Sequence, residues 1–380
     1  MRIGVDYTAA ARQGGGIGRY TRELMTALLA ARPPHDFVLL AAAAGLGDRW
    51  RAEMARLKHL AEPGHLTLRT VPLTDDWMAR IWHRLRIPLP ANFLTGRIDA
   101  FYAPDFLLPP LVGDVRTLVT IHDLSFLRVP NTFPAALREY LEGAVPRSAR
   151  RADCVLTDSE WTRQDVIELL SIPPERVVSL HLGVSEQFRA KAQLDERRRL
   201  DQRYALGTGA YVLAVGTVQP RKNYHRLIEA LDLVRESIEV DLAIAGGRGW
   251  LADAILDAAE KRPYVHMLGF VDDADLPALY RQAAAVAYPS LYEGFGLTPL
   301  EAMACGTPVV ASSASSLPEA VGDAALLVDP FDVEGLAEAL TAALTDEALR
   351  ARLHREGLAR AAKFTWARTA QEWLAVVARL

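Results

Sequence analysis

Two adjacent cations and two carboxylates eight positions apart are the residues of this chain best suited to chemistry. Arg221 and Lys222 lie in Val215-Gly-Thr-Val-Gln-Pro-Arg-Lys-Asn223, ahead of a helical pattern. Positive charge is unfavourable at a helix start, so either an anion compensates the pair or water solvates a basic surface patch. A diphosphate fits both side chains. Arg offers a planar fork and Lys a point charge, and together they can hold a leaving group that develops negative charge. Downstream, Ser290-Leu-Tyr-Glu-Gly-Phe-Gly-Leu-Thr-Pro-Leu-Glu-Ala-Met-Ala-Cys-Gly-Thr-Pro308 carries Glu293 and Glu301. Thr298-Pro-Leu-Glu301 reads as N-cap, N1 proline and N3 glutamate, so Glu301 would serve equally in a capping box. Capping leaves unexplained Glu293 beside Gly294 and the backbone amides running to Leu297. Two carboxylates around such a turn suit hydroxyl recognition next to phosphate, one accepting from a sugar and the other from a ribose.

Two further groups follow strand-like runs. Gln13-Gly-Gly-Gly-Ile-Gly-Arg-Tyr20 opens a helix with small residues, and missing Cβ atoms let backbone N–H groups approach an anion or a hydroxyl there. Its Gly14, Gly16 and Gly18 lack the GxGxxG spacing, which disfavours a dinucleotide; a bare turn is the alternative. His122, in Thr120-Ile-His-Asp-Leu124, sits where a strand should end and could donate to a hydroxyl or carbonyl, or be a core histidine.

The elements that would position these groups are short aliphatic runs alternating with helical patterns. Ile3 to Tyr7, Phe37 to Ala41, Leu66 to Val71, Ala100 to Ala103, Thr117 to Ile121 and Cys154 to Thr157 read as buried parallel strands, with helices at Tyr20 to Ala31 and Phe133 to Ala144. A second series follows residue 205: Tyr211 to Val215, Val240 to Ala245, Val265 to Leu268, Ala285 to Tyr288, Pro308 to Ala311 and Ala325 to Val328, with helices at Asn223 to Val234 and Pro299 to Cys305. The fold class is therefore α/β, with two doubly wound parallel sheets. A charged stretch at 185–205 reads as the linker, giving domains at 1–190 and 205–365. Such sheets bind ligands beyond the carboxyl ends of their strands, so two of them facing each other would put a site in the cleft.

Composition agrees with a two-domain globular protein: 380 residues, 50% hydrophobic and 24% charged. Cys154 and Cys305, far apart, form neither a disulfide framework nor a zinc site and read as buried small hydrophobes in a reducing compartment. No signal-peptide pattern opens the chain, and the longest aliphatic stretch, Phe37 to Gly45, is too short to span a bilayer. Residues 1–190 hold 23 basic and 21 acidic side chains, and 191–380 hold 20 and 26; neither balance suits nucleic acid. Asp76 to Arg86 interleaves arginines with Trp77, Ile81 and Leu85; it would either rest on an anionic membrane or pack on its own sheet with a solvated basic edge.

The glycine loop, the His-Asp after the fifth strand, GTVQPRKN and EGFGLTPLEAMACGTPVVAS together resemble the retaining nucleotide-sugar glycosyltransferases of family 4, which have the GT-B fold of two Rossmann-like domains. The resemblance spans nearly the whole chain, and TIHDLSFLRVPNTFP is similar to bacterial mannosyltransferases of surface polysaccharide synthesis. It implies that Arg221 and Lys222 hold the donor diphosphate and Glu301 the ribose. Glu293 would bind the transferred sugar beside the amides of Phe295, Gly296 and Leu297, and His122 would reach an outer hydroxyl of that sugar. Gly15 and Gly16 would approach phosphate or acceptor, the base would lie along Gly269-Phe-Val271, and residues 366–380 would cross back onto the first domain. The expected reaction moves a hexose, mannose from GDP-mannose before UDP-glucose or a deoxysugar, onto a glycan or lipid-linked acceptor without metal or cofactor. The expected location is the cytoplasm or the inner membrane face. A sugar-nucleotide epimerase and a noncatalytic nucleotide-sugar-binding protein are the alternatives.

Overall fold

The computed structural model describes residues 1–85, 87, 89–191, 195–207 and 209–380. Arg86, which ends the basic stretch, and residues 192–194 of the expected linker lie outside these. By its internal contacts the chain groups into two units. One comprises Met1–Leu124, Glu139–Gly183 and Trp366–Leu380, and the other Ser125–Arg138 and Val184–Thr365.

The first unit is built on a seven-stranded parallel sheet: β1 (Arg2–Asp6), β2 (Asp36–Ala42), β3 (Leu66–Val71), β4 (Ala100–Ala103), β5 (Arg116–Ile121), β6 (Cys154–Thr157) and β7 (Val177–Ser179). Their order is β3-β2-β1-β4-β5-β6-β7. The second unit holds β8 (Tyr211–Val215), β9 (Asp241–Ala245), β10 (Val265–Gly269), β11 (Ala285–Tyr288), β12 (Val309–Ser312) and β13 (Leu326–Val328), in the order β10-β9-β8-β11-β12-β13. All twelve expected strands are present. The unexpected one, β7, is three residues long after a proline turn, too short for a run of apolar residues to reveal.

Each order reverses beside the first strand of its sheet, between β1 and β4 and between β8 and β11. Loops leaving adjacent strands in opposite directions open a crevice at such a switch point. The topology thus places the glycine loop after β1, the Arg221-Lys222 loop after β8 and the Glu293 loop after β11 at crevice-forming positions.

Helices cover the sheets by the spacing of their apolar residues. Tyr224–Val234 buries Tyr224, Leu227, Ile228, Leu231 and Val234, one stripe at helical period, onto a core with Leu242 and Ile244 of β9. Truncating one such leucine to alanine costs about 2–5 kcal/mol. The last helix, Trp366–Val377, belongs to the first unit. Trp373 is fully buried against the rings of Phe37 and Tyr102, and Thr369 donates to the carbonyl of His181 at 2.7 Å.

Two segments differ from the sequence reading. The charged stretch expected to be a linker contains the helix Glu196–Tyr204, anchored by buried Leu200 and by buried Glu196, which accepts from Arg281 Nε at 3.0 Å. Its charge run hid two inward positions. The expected helix at Phe133 begins at Ala135 and continues past Pro146 to Arg151. Phe133 is extended and lies 5.5 Å from the Trp250 ring, whose Nε1 donates to the carbonyl of Thr132 at 2.8 Å; these contacts seat Ser125–Arg138 in the second unit.

Candidate functional site

In the second unit, topology joins residues 71 positions apart. Lys222 Nζ donates to Glu293 Oε1 at 2.8 Å and to the Tyr288 hydroxyl at 2.6 Å, and lies 4.6 Å from the centre of the Tyr288 ring. Arg221 Nη1 is 3.0 Å from Glu293 Oε2 and donates to the carbonyl of Tyr292 at 2.6 Å. Glu293 is buried, which by itself would raise its pKa, but the two cations outweigh burial and hold it at about 2. The sequence reading gave the cations and the carboxylate to different parts of a ligand; here they form one cluster of net charge +1, with Lys222 and Glu293 buried and Arg221 half-buried.

The loop geometry explains the local sequence. Pro220–Lys222 is a single 3₁₀ turn ended by Asn223, whose φ of +61° places it in the left-handed region. Asn tolerates that conformation, and its side chain donates to the carbonyls of Pro289 and Pro330, tying the turn to the loops after β11 and β13. Ser315 Oγ accepts from the amide of Glu293 at 2.8 Å, and Ser316 Oγ donates to the carbonyls of Glu293 and Phe295. Gly216 has φ +146°, and a Cβ there would lie 3.0 Å from Lys222 Cε, so glycine leaves room for the lysine.

Thr298 does not cap a helix, which corrects the capping-box reading of Glu301. The helix Leu297–Ala304 starts two residues earlier, with Gly296 at its N-cap, φ +117° and no side-chain cap. The turn requires that positive φ, and a Cβ there would come within 2.9 Å of Leu317. Glu301 is therefore more than a turn inside the helix, buried, and accepts from the Tyr280 hydroxyl at 3.1 Å. Phe295 is buried against Phe364, and Leu297 is the first helical residue. At the end of β10, Gly269 has φ +66° and Phe270 is exposed.

In the first unit His122 is buried with both ring nitrogens engaged, Nδ1 with Asp158 Oδ2 at 2.7 Å and Nε2 with the carbonyl of Pro104 at 2.8 Å. The Pro104 carbonyl can only accept, so Nε2 carries a proton; burial raises the Asp158 carboxyl, and its ionised form places a second proton on Nδ1. Burial pulls the His122 pKa down, but the bonded Asp158 and nearby Asp105 lift it to about 9. Its expected free donor is thus already committed to Pro104. Tyr20 and Phe106 stand edge-on to the ring, and the hydroxyls of Tyr20, Tyr102 and Thr120 form a chain beside it. Asp158 was not anticipated, although it follows β6 as His122 follows β5. Gly15 is the N-cap and Gly16 the first residue of the helix Gly16–Ala30. Added Cβ atoms at either would meet nothing within 4 Å, whereas one at Gly18 would strike the carbonyl of Gln13 at 2.2 Å. Gly18 is required by packing; Gly15 and Gly16 leave open space over the helix start.

No group of three or more His, Cys, Asp or Glu able to hold a metal occurs among the described residues. Asp275, of the chain's Asp273-Ala-Asp275, accepts from Arg203 Nη1 at 2.5 Å and from the Tyr204 hydroxyl at 2.8 Å. Nor is any described helix long and apolar enough to cross a membrane.

Two family models match, Glycosyltransferase Family 4 over residues 14–188 and Glycosyl transferases group 1 over 196–360. The O-antigen chain mannosyltransferase B of Escherichia coli is 35% identical over 359 residues, 92% of each chain. The chain belongs to the family 4 glycosyltransferases. The Escherichia coli serotype-specific mannosyltransferase WbdA is 37% identical over 295 residues, covering 73% of this glycosyltransferase and 35% of that longer protein. Among solved structures, sucrose-phosphate synthase from Thermosynechococcus elongatus has a TM-score of 0.76 at 20% identity, covering 100% of this chain and 98% of that one. Anabaena Alr3699/HepE in complex with UDP and glucose gives 0.74 at 20%, with 100% and 99% covered. This glycosyltransferase has the same two-domain GT-B architecture.

Proposed function

We propose that this glycosyltransferase moves mannose from GDP-mannose, with retention at the anomeric carbon, onto a glycan or lipid-linked acceptor in surface polysaccharide synthesis. The Arg221-Lys222-Glu293 cluster carries the reading: two cations held by one carboxylate at a switch point are a ready receptor for a diphosphate whose charge grows as its bond to the sugar breaks. The 35% identity to a mannosyltransferase supports the donor sugar. In this reading Arg221 and Lys222 bind the diphosphate, and Glu293 keeps both in place while its remaining lone pairs accept from sugar hydroxyls. Glu301 accepts from the ribose, with the amides at Phe295, Gly296 and Leu297 beside the phosphates. The acceptor hydroxyl attacks on the face the diphosphate leaves, and the departing phosphate takes its proton. His122 serves as a fixed positive charge, reaching a sugar hydroxyl only by releasing Pro104, while Gly15 and Gly16 leave the helix start open to phosphate or acceptor. No metal or cofactor takes part.

Peripheral attachment to the inner membrane face belongs to the same reading. Trp77 and Phe93 are exposed, and Arg80 stacks 5.3 Å from the Trp77 ring, an apolar and cationic combination suited to an anionic bilayer. The deciding experiment offers GDP-mannose, UDP-glucose and other nucleotide sugars with a mannan-primed acceptor and follows nucleoside diphosphate release and product configuration. Release that depends on acceptor, with an α-mannosyl product, is expected. An inverted product, or preference for another donor, would refute the corresponding part of the proposal.

A further inference from the structure

We propose that Asp158 is a positioning residue for transfer: it keeps His122 doubly protonated, so that the bond now given to the Pro104 carbonyl is a charged donor held ready for a substrate oxygen. The proposal deepens the transferase reading and rests on it. Both residues follow strand ends, His122 after β5 and Asp158 after β6, on the side where parallel sheets bind ligands. Asp158 Oδ2 lies 2.7 Å from His122 Nδ1, and both side chains are buried. Tyr20 and Phe106 fix the plane of the ring, their centres 4.8 and 5.4 Å from its own. Ser159 caps the helix Glu160–Leu170 by accepting from the amide of Thr162 at 3.0 Å. Asp158 therefore stands one residue ahead of the N-cap, where the positive end of a helix favours an ionised carboxylate.

Folding alone does not ask for this charge. A neutral imidazole would satisfy Pro104 through Nε2–H and leave Nδ1 to accept from a hydroxyl or an amide. An interior ion pair stabilises little over neutral groups that pack as well, so the charge points to use. The two ring bonds differ in what can replace them. Nδ1 faces a carboxylate, whereas Nε2 faces a neutral carbonyl at 2.8 Å, whose place a substrate oxygen can take. A charged donor holds such an oxygen about twice as strongly as a neutral one, and gains further as the oxygen becomes negative. The other charges around the ring do less. Half-buried Asp105 also acts on His122, but it accepts from the Gln13 side chain, and burial together with neighbouring Asp6 raises its pKa. Asp123 raises the Asp158 carboxyl and His181 lowers it, so these two oppose each other. Burial raises the hydroxyls of Tyr20 and Tyr102, which stay neutral where His122 titrates. Asp158 alone among the carboxylates bonds the ring directly.

The test follows His122 by NMR in the full chain with carbon-13-labelled histidine, alongside the pH profile of mannose transfer, in the parent, Asp158→Asn and Asp105→Asn. Asparagine keeps the size of Asp158, and its amide donates to a neutral Nδ1 while Nε2–H stays on Pro104. The ring thus keeps its place and loses its charge. Parent His122 should be protonated at neutral pH and titrate near 9, whereas in Asp158→Asn it should titrate at or below the ordinary 6.5. Parent kcat should hold across neutral pH and fall through about 9. Asp158→Asn should lower kcat at neutral pH at least about tenfold, with donor KM changing less, and recover as pH falls below its lowered titration. Asp105→Asn should move the alkaline limb less. A neutral His122 in the parent at pH 7 overturns the proposal without any variant. Parent-like kcat in Asp158→Asn despite a neutral ring, equal loss at every pH with His122 titrating as in the parent, or a larger shift from Asp105→Asn would each overturn it as well. Absence of sugar transfer by the parent protein would defeat the transferase reading instead, and the NMR titration separates that result from these.

Discussion

Replacing Glu293 with glutamine tests whether the carboxylate's first duty is to the two cations or to the ligand. The side chain keeps its size but loses its charge, leaving half-buried Arg221 and buried Lys222 side by side with no carboxylate between them. The magnitude follows from the titration of Glu293. Its pKa falls from the ordinary carboxylate value of 4.5 to about 2, and at 1.36 kcal/mol per unit the ionised form stabilises the fold by about 3 kcal/mol. A depressed carboxylate stabilises above its unfolded pKa, so the contribution is complete at neutral pH and fades as pH falls from about 4.5 to about 2. Urea denaturation at pH 7 should show Glu293→Gln less stable by about 3 kcal/mol, in line with the loss expected when one partner of a buried pair is removed. In the proposed reading GDP changes the balance, because its diphosphate would supply the missing negative charge. Saturating GDP should therefore stabilise the variant more than the parent, while mannose transfer falls sharply. If GDP stabilises the variant less than the parent, Glu293 contacts the nucleotide directly, and the view that it mainly holds the cations is wrong.

Arg221→Ala should lower kcat about 10²-fold or more in a steady-state transfer assay with folding retained, the scale of losing one electrostatic stabiliser; a parent-like kcat would remove Arg221 from leaving-group stabilisation. Glu301→Gln can still accept from Tyr280, so thermal stability should hold while donor affinity, read by calorimetry, drops. EDTA should leave the transfer rate unchanged, because in the proposed reading cations and helix ends hold the diphosphate; activity lost to EDTA and restored by manganese would contradict this. For His122 the folded pKa is raised, so the stability drawn from its pairing with Asp158 is complete below about 6.5 and lost as pH rises through about 9. Asp158→Asn should flatten that alkaline loss of stability in pH-dependent melting.

What could be read from the sequence depended on how local its cause was. Strands such as Tyr211–Val215 and Ala285–Tyr288 declare themselves because a buried parallel strand needs consecutive aliphatic residues, and strand ends then mark where a switch point can gather loops. Val177–Ser179 was invisible because three residues carry no pattern. The helix at Glu196 was hidden because its inward carboxylate is neutralised by Arg281, 85 positions away. The same distinction governs the site. Arg221, Lys222 and Glu293 were legible as charged residues in glycine-containing loops, but their union is a product of strand order: β8 and β11 are neighbours although three helices and two strands separate them in the chain. The capping-box reading of Glu301 failed for a related reason. Thr298-Pro299 satisfies the local rule, yet Gly296, at φ +117° and packed against Leu317, starts the helix two residues sooner. His122 shows the remaining limit. A strand-end histidine is visible in the sequence, but whether its nitrogens are free depends on Asp158 and Pro104, which only the pairing of β5 with β6 and β4 brings to it.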